Sequence, residues 1–327
     1  MAFATEYDGV LDRLRTDVER LARPAGRRVG SPGHAEAAAF LVERLAAVGV
    51  EPYAGEAFAL PYPGSEGTFA NLVGVAPGGD RALPPVLIGA HYDTAGDLPG
   101  ADDNAAAVAI ALEAARRLVA RPADRDVVIA LFDAEEPPYF QMRLMGSTRF
   151  VEDQAIGPVH AALIMDLVGH EVPVPGLEDV VFVTGMETDP ALERVLLGQP
   201  ERPGLRFATV LNRYVGDMSD HHAFRLHRVP YLFLSCGTWA HYHAPSDTPE
   251  KLAYPKMAAT VDLLEGLVRD VAGRSLDGPW EGYDTTPTDL ATLRAAAGAW
   301  LETHGIPLRS REDIDRIARL LLRQLGT

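Results

Sequence analysis

Four short runs of consecutive apolar residues punctuate the chain: PPVLIGA at 84–90, DVVIALF at 126–132, AALIM at 161–165 and VPYLFLS at 229–235. They are rich in Val, Ile, Leu and Phe and lack polar alternation, the pattern of strands buried on both faces. An Ala/Leu-rich stretch over about 104–120 predicts a long helix between the first two. Strand, helix and strand at this spacing form a right-handed crossover unit. Upstream, residues 6–22 and 34–48 are predicted helices. The second, AEAAAFLVERLAAVGV, repeats its apolar residues at helical spacing and meets Gly49 where a C-terminal stop belongs. RRVGSPGH between them is a turn, TFANLVGVA at 68–76 a strand, and PGGDRALP a loop. No internal repeat or low-complexity segment interrupts this order. The expected architecture is α/β, a central sheet covered by helices. From about residue 276 the linker DGPWEGYDTTPTD leads into a charged helical tail ending at Thr327, expected to cap the core rather than mediate association.

Length and composition narrow the possibilities. A chain of 327 residues holds one large α/β domain or two ordinary ones, and 47% hydrophobic residues suffice for a substantial core. No stretch approaches the roughly 18–20 apolar residues of a membrane span, so no membrane partner is expected. MAFATEYDGVLDRL has neither a basic n-region nor an apolar h-region, and Cys236 is the lone cysteine. Both point to a reducing, cytoplasmic setting. The formal charge of −16, from 30 basic and 46 acidic residues, repels phosphate backbones and argues against nucleic acid. It reads either as solubility or as acids neutralised by bound cations.

The residues just past each buried strand favour the second reading. After the first strand come His91 and Asp93 (HYDT); after the second, Asp133, Glu135 and Glu136 (LFDAEEPPYF). After the third comes Asp166 (MDLVGH), and after the fourth Cys236, His241 and His243 (HYHAPSD). PGADDN, ahead of the long helix, adds Asp102 and Asp103. In isolation each has a plainer explanation: a hydrogen-bonded loop histidine, an N-cap cluster, a solvated surface pair. In open α/β sheets, however, the ligand crevice lies outside the carboxyl ends of the strands, and four strands deliver acids and imidazoles to that edge. The remaining histidines, His34, His160, His170, His222, His227 and His304, lack this context and are expected to be structural.

Imidazoles mixed with carboxylates, without thiolates, suit zinc or a similar divalent ion. Two histidines and three or more acids exceed one catalytic zinc but match a carboxylate-bridged pair of ions. Two Zn²⁺ against three carboxylates and a hydroxide close near neutrality, leaving one carboxylate as a base. Successive residues of an extended chain point to opposite sides, so of Glu135 and Glu136 one can bind metal while the other takes a proton from water. Asp93, two residues from His91, is placed to orient that imidazole, and Asp247, four beyond His243, to do the same there.

Taken in order, HYDT, PGADDNAAAVAIALE, FDAEE with MGS downstream, MD, SDH and YHAPSDTPEKL resemble the co-catalytic di-zinc exopeptidases. That family includes bacterial leucyl-type aminopeptidases, glutamate carboxypeptidase and glutaminyl cyclase. The resemblance covers roughly residues 25–265. It implies a three-layer α/β/α sandwich with a mixed, mostly parallel sheet. A zinc-exopeptidase catalytic domain is then expected over 1–275, with a linker and C-terminal helical extension over 276–327. The resemblance places His91 and Asp166 on one zinc and Glu136 and His243 on the other, with Asp103 bridging and Glu135 as general base. It also implies a cis peptide after Asp103.

The chain departs from the family in three respects. A transition-state-stabilising tyrosine just before SDH is missing, since VGDMSDH stands there and Tyr214 lies too far upstream. Tyr242, directly before the last ligand, matches the tyrosine of the carboxypeptidase branch and is the better candidate. The disulfide of some secreted members is impossible with one cysteine. An insertion before Met145, Gly146 and Ser147 changes the loop expected to border the substrate pocket. The function the resemblance implies is a two-zinc aminopeptidase acting on peptides with a free N-terminus. The alternatives are a one-zinc glutaminyl cyclase-type acyltransferase and a non-catalytic binding module.

Overall fold

The computed structural model describes residues 2–64 and 67–325. Helices α1 (Ala2–Leu21) and α2 (Pro32–Val48) open the chain. The Ser31 hydroxyl accepts from the His34 N–H at the start of α2, Pro32 occupies its first turn, and Gly49 ends it at φ 87°. That is the expected order of polar cap, proline and left-handed glycine. Next come three antiparallel strands, β1 (Glu51–Pro52), β2 (Ala59–Gly64) and β3 (Gly67–Ala76).

The runs singled out in the sequence become β4 (Val86–His91), β5 (Val127–Phe132) and β6 (Ala161–Met165). The fourth lies further on. α3 (Ala106–Ala120) joins β4 to β5 and starts two residues later than its pattern predicts. Asp103 (φ −111°, ψ 82°) and Asn104 (φ −133°, ψ 34°) are not helical, and the peptide between them is cis. α4 (Gly146–Arg149) separates β5 from β6, and β7 (Val180–Thr184), α5 (Pro190–Leu197) and β8 (Arg206–Thr209) come after. The short helices α6 (Asn212–Val215) and α7 (His221–Leu226) lead to that fourth run, β9 (Tyr231–Ser235). α8 (Tyr254–Ala272), α9 (Thr286–Thr303) and α10 (Arg311–Leu325) complete the chain.

Among the described residues nine strands form one sheet in the order β1-β3-β5-β4-β6-β9-β7-β8, with β2 paired to β3. The pairs β5·β4, β4·β6 and β6·β9 are all parallel, so the four predicted strands are neighbours pointing the same way. Antiparallel pairs lie to either side, β3 on β5 and β7 on β9. The sheet is mixed with a parallel centre. From β4 the chain moves one way to β5, then crosses back over β4 to β6, and that reversal opens a crevice at the strands' carboxyl ends.

One face of the sheet carries the larger core, into which α1, α2, α3 and α8 set Leu14, Leu41, Ile110 and Leu264. The other face packs Phe132 and Phe233 against Phe150 and Phe224. Helices on both faces make the three-layer α/β/α sandwich. Helix α9 joins the larger core through Leu293, Ala296, Trp300 and Leu301, and the Thr209 hydroxyl on β8 bonds to Asp289 at 2.6 Å. Among the described residues no helix is long and apolar enough to cross a membrane.

Trp300 is 8% exposed within that core. Trp300→Ala should therefore lower the unfolding free energy by roughly 3–5 kcal/mol in a single transition. Chemical denaturation checks this, and a separate early transition would mean that α9 folds apart from the sheet.

Candidate metal centre

His91 is the last residue of β4, Asp166 comes directly after β6, and Glu135 and Glu136 lie three and four residues past β5. Each segment turns sharply as it leaves the sheet. Ala134 (φ 55°), Leu167 (φ 53°) and His243 (φ 49°) all adopt left-handed backbone without being glycine. Such residues cost of order 1–3 kcal/mol each and gather at functional sites. Gly100, at φ 58°, precedes the Asp102–Asp103 turn, and a Cβ there would meet the Asp103 carbonyl oxygen at 2.3 Å. Only glycine suits that position.

These segments bring the five expected ligands together. Asp103 lies in the middle: its Oδ1 is 3.2 Å from His91 Nε2 and its Oδ2 is 3.1 Å from His243 Nε2. Asp166 Oδ2 is 3.6 Å from His91 Nε2, and Glu136 Oε2 is 3.0 Å from His243 Nε2. The donors divide into His91, Asp103 and Asp166 on one side and Asp103, Glu136 and His243 on the other. In each set the donor atoms lie within 4.8 Å of one another. A third grouping, His91, Glu135 and Glu136, overlaps them, with Glu135 Oε2 3.9 Å from His91 Nε2. His243 is the exposed member, at the mouth; the others are buried.

The electrostatics of the cluster follow from burying acids and imidazoles together. Burial pushes the Glu135 carboxyl well above its usual range, with Glu136 and Asp166 adding to the rise and His91 opposing it. Burial raises Glu136 to about 8, and Asp103 reinforces this. Burial alone would lower both imidazoles, but the carboxylates outweigh it. His91 is held well above its ordinary value by Glu135, Asp166 and Asp103, and His243 is raised to about 10 by Asp103 and Glu136. Burial would raise Asp103, yet His243 and His91 on either side hold it below the carboxylate range. The carboxyls and imidazoles are thus shifted together towards holding positive charge. Both His91 ring nitrogens and Asp166 Oδ1 are buried without a hydrogen-bond partner. Orphaned donor atoms of this kind, on imidazoles and carboxylates, fit divalent ions such as zinc.

A second tier of acids holds the first in place. Asp93 Oδ1 accepts from the Glu135 N–H at 3.0 Å and Oδ2 from the Glu136 N–H at 3.1 Å, while Oδ1 also lies 3.5 Å from His91 Nδ1. One carboxylate thus serves the imidazole and pins the glutamate loop. Asp247 departs from expectation. Its carboxylate accepts from the Asp102 and Asp103 amides at 2.9 and 3.1 Å, so it fixes the bridging turn instead of orienting His243. Those amides point at it and satisfy a buried charge more directly than an imidazole at the mouth could. Asp102 bonds His170 Nδ1 at 2.6 Å, and Asp133 meets His34 Nε2 at 2.8 Å. His241 bonds Ser246. These three flank the cluster without entering it.

Tyr242 stacks on His243 (centroids 3.9 Å apart) and lines the adjoining pocket. Tyr214 instead bonds Asp315 on α10. Phe140, from the inserted loop after Glu136, lines the same pocket, as expected of that loop.

Two residues near the cluster have no expected role in the sequence. Arg27, 1% exposed, donates to the carbonyls of Tyr92, Pro99, Gly100 and Leu21 at 2.7, 2.7, 2.9 and 3.0 Å. Burial lowers its guanidinium to about 10, opposed by Asp103 and Asp93, so it stays cationic at neutral pH. Nothing marked it in RRVGSPGH except its place in a turn. Asp220, of the SDH motif, is fully buried and pushed up to about 7 by burial, with Asp166 and Asp93 contributing.

Fold and site together define a metallopeptidase. Residues 71–268, well over half the chain, match peptidase family M28, and the chain belongs to that family. The uncharacterized protein YfbL of Escherichia coli (strain K12) is 29% identical over 230 residues, covering 61% of this chain and 70% of YfbL. Aminopeptidase YwaD of Bacillus subtilis (strain 168) is 33% identical over 86 residues, 26% of this chain and 18% of YwaD. LapB from Legionella pneumophila superposes with a TM-score of 0.63 at 20% identity, over 82% of this chain and 75% of LapB. Tannerella forsythia glutaminyl cyclase gives 0.62 at 20% identity, over 79% of this chain and 98% of the cyclase. At such identities these two structures establish the fold.

Excess zinc should raise the unfolding midpoint, by the equivalent of about 2.7 kcal/mol at a hundredfold excess over Kd. Asp103→Asn should erase most of that rise; a scan insensitive to zinc would disprove the centre. Arg27→Met strands several buried carbonyls and should cost roughly 3 kcal/mol or more of stability, measurable by denaturant titration.

Proposed function

We propose that the chain is a metal-dependent aminopeptidase that hydrolyses the first peptide bond of peptides with a free N-terminus. The observation that carries this reading is the position of Asp103, one carboxylate oxygen towards His91 and the other towards His243. It divides the donors into two sets that share one carboxylate, as a pair of zinc ions requires. His91, Asp166 and Asp103 would hold one ion; Glu136, His243 and Asp103 the other. When bound, the ions supply Lewis acidity, polarising the scissile carbonyl and easing deprotonation of water.

The chain's own residues do the rest. Glu135 is not needed by either set and lies against both. It takes the proton of the attacking water and returns it to the departing amine, so the carboxyl ends the cycle as it began. Asp93 keeps Glu135 in place through its backbone amide. The Tyr242 hydroxyl, at the pocket wall beside His243, is the donor for the developing oxyanion. The excess of carboxylates attracts the substrate's ammonium group. Among the described residues lining the pocket there is no Lys or Arg to meet a substrate α-carboxylate. That favours cleavage from the amino end over cleavage from the carboxyl end. Cyclisation of N-terminal glutamine on a single zinc is the competing chemistry, and a donor set sufficient for two ions weighs against it.

Glu135→Gln should reduce hydrolysis of aminoacyl chromogenic amides by about 10²–10⁴-fold, the usual contribution of a general base, while metal analysis still finds two zincs per chain. Loss of zinc in that variant would reverse the roles of Glu135 and Glu136. A single zinc together with turnover of N-terminal glutamine peptides alone would overturn the aminopeptidase reading.

A further inference from the structure

The pocket beside the metal centre has an outer wall from an unexpected part of the chain. Its floor is the sheet, where β7 and β9 contribute Phe182 and Phe233, and Val215 of α6 lies on one side. Ala318 and Leu321 of α10 line it as well. The two are three residues apart and share one face of the helix. This wall lies beyond residues 71–268, the segment that matches the family.

α10 is held where a wall must be held. Ile314, Ile317 and Leu321 are buried in the larger core on the same stripe of the helix. At its start Arg311 bonds Asp289 and the Thr285 hydroxyl at 2.6 and 2.8 Å. One turn on, Asp315 accepts from Arg213 at 2.8 Å and from the Tyr214 hydroxyl, tying α10 to α6. Outside the metal cluster, the described lining residues carry no charged side chain.

We infer that α10 is the outer wall of the subsite for the substrate's N-terminal side chain, and that Ala318 and Leu321 limit it to apolar side chains of bounded size. This rests on the aminopeptidase reading, since it takes the pocket beside the metals as the place where the first residue sits. An ammonium group directed at the carboxylates leaves the side chain to enter the apolar cavity. A charged side chain there would lose its hydration with nothing to replace it. Helix α10 thus sets which N-termini are accepted, although it holds none of the metal ligands.

The test uses binding as well as turnover. Phenylalaninol and alaninol carry a free amine and no carboxylate, and calorimetry on the zinc-loaded full chain compares them. The wild type should prefer phenylalaninol by about tenfold or more, the scale of extra methylenes in an apolar pocket. Ala318→Trp should collapse that ratio. Leu321→Ala should raise affinity for naphthylalaninol relative to phenylalaninol, and it decides the matter should the tryptophan variant not fold. Equal binding of the two alcohols by the wild type, or ratios unchanged in folded variants with full zinc content, would overturn the inference. Intact preference without hydrolysis of any aminoacyl amide would sink the aminopeptidase reading alone and leave the wall standing.

Discussion

Glu135, Glu136, Asp103 and Asp166 are buried side by side, and that crowding of negative charge governs the rest of the site. Carboxylates so placed must hold protons or be met by cations, because transfer from water to a low-dielectric interior strongly disfavours unpaired charge. The surrounding structure sorts the acids by what they receive. Asp93 and Asp247 take backbone N–H donors and so become fixed struts. The inner four are left short of such donors and retain their appetite for positive charge. Arg27 contributes some of it from behind, buried and bound to carbonyls, where it cannot compete as a direct partner.

The topology makes that crowding possible. Four parallel strands lie side by side, so their carboxyl ends open onto one crevice, and the reversal of strand order at β4 leaves room above it. No single segment could carry both histidines and all four acids within a few ångströms. Left-handed residues at Ala134, Leu167 and His243 mark where the backbone turns sharply beside the clustered acids and imidazoles. The match to peptidase family M28 runs over residues 71–268 and so takes in all four of these strands, although identity to a relative such as YfbL is only 29%.

The central strands were legible because they are buried on both faces and read as unbroken apolar runs. The edge strand β8 was not: four residues beginning with Arg206 carry no such signature. Helix α8 is buried on most sides, including Lys256, so no clean amphipathic period announces it. At the site, the acids and histidines at the strand ends could be read from order, and the family resemblance then distributed their roles. Asp247 could not be read correctly, because four residues of irregular chain after His243 say nothing of direction; the amides it meets lie in another segment. Arg27 was beyond reach for the same reason. Its partners lie near Leu21 and in the loop 92–100, and only packing brings them around it.

The placement of α10 also bears on the timing of synthesis. Chains emerge from the ribosome in order, and segments begin to fold as they emerge. Every residue proposed to hold metal has been made once His243 is polymerised, whereas the pocket gains its last lining residue only with Leu321. A nascent chain reaching only through α9 would therefore carry the complete ligand set beside an open-sided cavity. In this fold the proposed metal donors come early, and the wall proposed to select the substrate comes late.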